Sequence, residues 1–202
     1  MIRHRLLQPL VFLLITVFSA PAFAADPAVL IADKMFIGTD GILVAEGNVE
    51  AHQGNLSLTA RRVTYDSRTD TLKLDGPIRL QDGQGSVIHA DDAELDPDLI
   101  EGLMTGARLV LNEQLQLAAV ELSRSEGRYT QLYKTVATSC RICGDDSPPI
   151  WQIRAEKVVH DAEDRQLYFE NAQFLVFDTP VAVIPQLRMP DPTLDRSTGF
   201  LV

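Results

Sequence analysis

Four alanines in this chain are each followed, 15 or 16 residues later, by a glycine or an asparagine: Ala32 to Gly47, Ala60 to Gly76, Ala90 to Gly106, and Ala155 to Asn171. The first three alanines lie 28 and 30 residues apart. Self-similarity at such a period marks one supersecondary unit used repeatedly, so the fold is expected to be built by stacking. The unit is legible from Leu56 onward. Leu56, Leu58 and Ala60 alternate with polar residues, and the apolar face resumes at Val63 and Tyr65 after one slipped position. The same slip follows Ile88-x-Ala90, resuming at Ala93 and Leu95, and follows Ile153-x-Ala155, resuming at Val158. A slip of this kind reads as a β-bulge on the strand that carries it.

After Val63 and Tyr65 comes a turn, Asp66-Ser67-Arg68-Thr69-Asp70. Leu72, Leu74, Ile78 and Leu80 then return at the spacing of a strand with one buried face. Each unit is therefore a strand, a tight turn and a returning strand. Side by side, such units are expected to form two facing sheets lined by Leu, Ile, Val and Ala, with unpaired strands at both ends. An ordinary antiparallel sandwich with similar turns is the alternative, but it would not reproduce the shared register. Three units share the alanine spacing, the slip, and an Asp or His five or six residues after the alanine, at Asp66, Asp96 and His160. Residues 112–122 fit a helix or a strand, and the period-two company of Leu115, Leu117 and Ala119 favours the strand.

The N-terminus carries Arg3 and Arg5, an apolar run over residues 10–18, and Ala22-Phe23-Ala24, a small-x-small site. Residues 1–24 therefore read as a secretory signal peptide, too short in its apolar run to span a bilayer, which takes about 20 residues. Without it, 16 basic and 28 acidic residues remain, a net of −12. Nucleic acid is disfavoured as a partner, because phosphate neutralisation needs clustered Lys and Arg and the densest basic pair is Arg61-Arg62. The remaining length suits one domain with a sizeable core.

The chain has two cysteines, Cys140 and Cys143, in a polar loop over residues 139–149. Zinc would need about four ligands, and His52, His89 and His160 stand at no metal-ligand spacing to the pair. A thioredoxin-type redox pair would want a helix after its first cysteine, which Gly144-Asp145-Asp146-Ser147-Pro148-Pro149 forbids. In an oxidising compartment the two thiols are expected to form disulfides, with each other or with cysteines elsewhere. Asp91, Asp92, Glu94 and Asp96 could bind calcium or do acid–base work, but they fall at a bulge and a turn. Trp151 reads as a core plug. No catalytic residue, metal ligand or cofactor is assigned.

The runs Thr138-Ser139-Cys140-Arg141-Ile142-Cys143-Gly144, Trp151-Gln152-Ile153-Arg154-Ala155, His160-Asp161 and Pro190-Asp191-Pro192, with Arg196-Ser197-Thr198-Gly199-Phe200-Leu201, resemble the N-terminal periplasmic region of the LptD (OstA/Imp) family of lipopolysaccharide-assembly outer-membrane proteins. The resemblance implies an all-β fold of repeated hairpins stacked as an open, slotted, taco-like OstA-like β-jellyroll over residues 25–185. Residues 186–202 would connect it to a C-terminal outer-membrane β-barrel. It implies that lipopolysaccharide arrives from a periplasmic bridge of similar modules joined by edge-strand addition. The lipid would pass to a barrel plugged by an outer-membrane lipoprotein, without catalysis. With a net charge of −12, the acyl chains are expected inside and the phosphorylated headgroup in water. Leu58, Leu74, Ile78 and Leu109 are the candidate groove residues. In the family, cysteines of this domain pair with barrel cysteines, a role open to Cys140 and Cys143, although their close spacing departs from the widely separated pair of the best-known members. The family continues beyond Gly199-Phe200-Leu201, so this sequence is expected to be a piece of a longer protein. The alternatives are a free-standing bridge protein and, in another class, an exported thiol-disulfide oxidoreductase.

Overall fold

A computed structural model describes residues 28–140 and 149–193; the expected signal peptide, Cys143 and residues 194–202 lie outside the described residues. Twelve strands follow one another: β1 (Val29–Ile31), β2 (Lys34–Ile37), β3 (Ile42–Gln53), β4 (Leu56–Asp66), β5 (Thr71–Gln81), β6 (Ser86–Leu95), β7 (Gly102–Leu111), β8 (Leu115–Ser125), β9 (Tyr129–Thr138), β10 (Trp151–Asp161), β11 (Gln166–Val176) and β12 (Thr179–Pro190). From β3 on, each pairs antiparallel with the next in sequence, while β1 and β2 share the outer edge of β3. The stacked hairpins are therefore an open meander, and the ambiguous segment near residue 115 is strand β8. The architecture corrects one expectation: the ladder is a single 12-stranded sheet rather than two.

The slip in the apolar pattern explains how one sheet makes a core. In β4, Ala60 and Val63 are buried while Arg61 and Arg62 between them are exposed. The same happens around Asp91-Asp92 in β6, Thr105-Gly106 in β7, Tyr133-Lys134 in β9 and Glu170-Asn171 in β11. A strand alternates faces at every residue, so two consecutive outward residues mean that the backbone bends. Because the bends lie opposite one another in neighbouring strands, they add up to a crease across the sheet. The inner face closes on itself, and the buried residues on both sides of the crease form one apolar cluster. Each fully buried Leu in it contributes about 1.5–3 kcal/mol of transfer free energy.

The repeated alanines and glycines are the crease. Ala45, Ala60, Ala90, Ala107 and Ala155 stand on its concave side, all buried. Left-handed backbone makes the bend at Gly47 (φ 76°), Gly106 (φ 58°) and Asn171 (φ 52°), a region glycine enters freely and asparagine tolerates. After Ala32, Ala90 and Ala155 the next residue covers the turn residue across the ladder. Asp33 lies over Gly47 and accepts from Asn48 Nδ2 at 2.9 Å, Asp91 lies over Gly106, and Glu156 accepts from Asn171 Nδ2 at 2.7 Å. The expected bulges on the alanine strands themselves are thus corrected. At the crease the extra residues that shift the register sit in β3 and β5, and β6 to β11 cross it without a shift; one more extra residue lies in β12, opposite Phe174 and Leu175.

The sheet has two long margins of turns. One carries the β3–β4, β5–β6, β7–β8 and β11–β12 turns, and the other the β4–β5, β6–β7, β8–β9 and β10–β11 turns. At the ends, the outer edges of β1–β2 and of β12 carry no strand among the described residues. The expected domain boundary at residue 185 falls inside β12. Gln186 to Pro190 still pair with β11, because the apolar face of the last strand continues to Leu187 and Met189, packed on the core.

Candidate functional site

The two margins are held apart at one end of the molecule and joined at the other. At the β3–β5 end they leave an apolar cavity of about 270 Å³. Leu58 and Val63 form its floor on either side of the crease, Leu30 and Ala51 one wall, and Leu72 and Leu99 the other. An apolar cavity of about 150 Å³ already stays dry and takes up a small hydrophobic molecule. This one is larger and opens beside β1, so it suits a hydrocarbon chain. Tyr65 lends its ring to the wall and donates its hydroxyl to Asp70 Oδ1 at 2.8 Å, a bond that raises the phenol's pKa.

Leu99 reaches the cavity through a built turn. Asp96 Oδ1 accepts from the Ile100 and Glu101 amides, both at 2.8 Å, and Leu99 itself takes a left-handed φ of 61° that folds it inward to 4 % exposure. The Asp96-Pro97-Asp98 turn was legible in the sequence, but the lining role of Leu99, Leu72 and Leu30 was not. Apolar spacing tells which face a residue takes, not which residues meet across a fold.

Of the four groove candidates, Leu58 lines this cavity. Leu74 and Ile78 are packed inside the core at 1 % exposure, and Leu109 borders a void of about 20 Å³ with Ile88, Arg124, Thr130 and His160. Arg124 faces inward there, and burial lowers its pKa against the pull of Asp82 and Asp96.

The opposite end is closed by polar groups. His160 and Asp191 are both nearly inaccessible, with Nε2 and Oδ2 2.5 Å apart. Burial works against the Asp191 carboxylate, but the His160 ring and the Thr193 amide, 2.7 Å from Oδ1, outweigh it and hold the group below the usual carboxylate range. His160 corrects one sequence equivalence. The acid that matches Asp66 and Asp96, six residues after its alanine, is Asp161, which accepts from the Glu163 and Asp164 amides as Asp96 does from its own loop. Arg128 binds Asp161 through two bonds of 2.9 and 2.6 Å, and these hold the carboxyl below its ordinary pKa.

Cys140 follows β9, half-buried, with its amide 3.1 Å from Thr138 Oγ1. Hydrogen bonds from the Trp151 backbone and the Thr138 hydroxyl lower the thiol's pKa. Trp151 packs on the core and stacks on Phe174 at 6.2 Å between centroids. The acidic cluster has structural work: Asp91 covers Gly106, Glu94 lies 3.6 Å from Lys73, and Asp96 caps its loop. Among the described residues no group of three His, Cys, Asp or Glu side chains could hold a metal ion.

No protein-family model matches the chain. It is 30% identical over 172 residues to the LPS-assembly protein LptD of Nitrosococcus oceani, an alignment covering 85% of this chain and 22% of the relative. It is 29% identical over 199 residues to LptD of Sodalis glossinidius, covering 92% and 25%. LptD of Xanthomonas euvesicatoria is 28% identical over 166 residues, covering 81% and 20%. The chain thus spans about a quarter or less of the length of these relatives. Among solved structures, LptH of Pseudomonas aeruginosa, described as the LptA homologous periplasmic component of the lipopolysaccharide transport device, aligns at 15% identity and a TM-score of 0.29, over 68% of this chain and 77% of that one. The likeness to LptD covers most of the chain, as the motifs around Cys140 and Trp151 implied.

Proposed function

We propose, from its likeness to LptD over most of its length, that this chain is a lipid-carrying periplasmic module in lipopolysaccharide transport and assembly at the outer membrane. The observation that carries the reading is the apolar cavity of about 270 Å³, open at the β1 end of a creased sheet whose interior is otherwise packed. Acyl chains lie against Leu58 and its neighbours. The phosphorylated headgroup stays in water, away from a chain with a net of 10 negative charges. The work is carriage and not catalysis.

The outer edge of β1–β2, which carries no strand among the described residues, stands beside the cavity mouth. A bridge module of similar construction adds a strand there and extends the apolar path from its own interior into this one. After the signal peptide is removed, the domain stands in the periplasm, and residues beyond β12 lead toward an outer-membrane barrel with its lipoprotein plug. Cys140, and Cys143 outside the described residues, are the positions that would tie domain and barrel by disulfides.

A photo-crosslinking amino acid at Leu58, in living cells, tests the reading. The expected result is a lipopolysaccharide adduct at Leu58 and none at the outward-facing Arg79. Equal capture at both positions, or none at Leu58, overturns it.

A further inference from the structure

The segment that follows β12 does something the lipid reading does not require: it joins the two margins of the sheet. Asp191 is anchored to the margin it leaves. Its carboxylate meets the buried His160 ring, and its amide donates to the Arg165 carbonyl at 2.9 Å. Arg165 Nη1 returns a bond of 3.4 Å to the Thr193 carbonyl, which seats the segment between the β10–β11 turn and itself. From that anchor the chain reaches the opposite margin. The Pro192 carbonyl accepts from Asn112 Nδ2, in the β7–β8 turn, at 3.1 Å, and Thr193 lies against Gly85 of the β5–β6 turn. Gly85 in turn accepts from the Asn112 amide at 2.7 Å, so the two far turns form one seat.

We infer that Asp191, Pro192 and Thr193 are a clasp that holds the creased sheet shut at the β10–β12 end, with His160 and Arg165 as its fixed side and Asn112 and Gly85 as its catch. Burying a charged carboxylate is expensive unless it is paired and hydrogen-bonded. Asp191 stands just beyond an edge strand, where sheet packing by itself buries no carboxylate. The pairing with His160 is explained if the tail's position matters. The two ends also differ in kind: the β3–β5 end, which has no such strap among the described residues, leaves an apolar cavity of about 270 Å³, whereas the space of about 340 Å³ at the strapped end is polar and bounded by the clasp itself, by His160, Arg165, Asp191 and Thr193 with Gln84 and Ser86 opposite. Release of the clasp frees the two margins to part along the crease at this end. His160 and Asn112 are thus positioning residues, and neither needs to touch a ligand.

The test is a distance across the seam. Nitroxide labels on ketone-bearing residues at Gln114 and Asp164, both exposed and on opposite margins, leave the native cysteines untouched. Pulsed electron–electron resonance on the parent should give a narrow distribution. Asp191→Ala, which removes the anchor, should shift it to longer distance and at least double its width, with the far-UV β signal unchanged. Asn112→Gly removes the side-chain hydrogen bond to the Pro192 carbonyl from an exposed position and keeps the left-handed φ of 48° that the turn requires; it should move the distribution in the same direction by a smaller amount. An unchanged distribution in both variants overturns the inference. So does a loss of β signal in Asp191→Ala alongside an unchanged Asn112→Gly, which would make Asp191 a core residue only. No lipid enters the measurement, so its outcome is independent of the crosslinking at Leu58.

Discussion

The crease can be tested at two glycines that occupy equivalent places and differ in what surrounds them. A methyl group on Gly76 would run into the Asp91 carbonyl oxygen, with the Ala90 oxygen at 2.9 Å and the Asp91 carbonyl carbon at 3.0 Å. All three are backbone atoms of β6, held by the pairs Asp75–Asp92 and Ile78–Ala90 on either side, so nothing can turn aside. Gly76→Ala must push two paired strands apart, and its cost falls at the top of the overpacking range, about 3 kcal/mol. At Gly106 the obstacle is the Asp91 side chain, which can swing outward. The cost that remains is that of a left-handed φ of 58° for an L-residue, about 1–2 kcal/mol. Equilibrium urea unfolding of both variants measures this directly, provided the m-value is unchanged. At roughly 2–4 °C per kcal/mol for a domain of this size, Gly76→Ala should melt about 6–12 °C below the parent and Gly106→Ala one third to two thirds as far below. Adding Asp91→Ala should relieve any steric part at Gly106 and none of the conformational part. If Gly76→Ala proves no more costly than Gly106→Ala, the crease is not held by backbone contact and the reasoning fails.

Two further outcomes follow from the core and the charges. Leu132→Ala, in the closed interior at 0 % exposure, should cost about 3–4 kcal/mol in chemical denaturation, whereas Leu58→Ala, beside an existing cavity, should sit near 2 kcal/mol, the low end for buried leucines; equal costs would mean that the cavity is filled by relaxation in solution. Asp161 has its folded pKa depressed by Arg128, so its stabilisation is complete above the unfolded carboxyl value of about 3.9 and is lost as pH falls through the lower folded value; Asp161→Asn should therefore lower stability at pH 7 and flatten the acid limb below pH 4, and an acid limb identical to the parent's would refute the pairing.

Much of the fold was legible because β-structure writes itself locally. Alternation at period two marks Leu72 to Leu80 as a strand with one buried face, and Asp66 to Asp70 as the turn before it. The slip after Ala60, Ala90 and Ala155 was also visible, but one strand cannot show that a slip is a fold line. That requires neighbouring strands to bend at the same height, a property of register. The same limit misassigned His160. Counting from Ala155, it lies within a residue of the turn-capping position, but its ring points inward, and the cap is Asp161. The groove candidates were chosen for facing inward, which all four do; only Leu58 meets the cavity, because Leu74 and Ile78 face other core side chains across the crease.

The sequence by itself determined the hairpin unit, its repetition, the buried face of each strand, and the alanine and glycine positions where a bend would be tolerated, since each depends on residues within one turn or one neighbouring strand. The tertiary structure alone decided that the twelve strands form one sheet, that its margins stand open beside β1 and are strapped beside β12, and that His160 meets Asp191 across 31 residues. Those features arise where distant segments come together. The free energy that selects them is the burial of a whole apolar face against itself, a sum over the sheet that no local pattern carries.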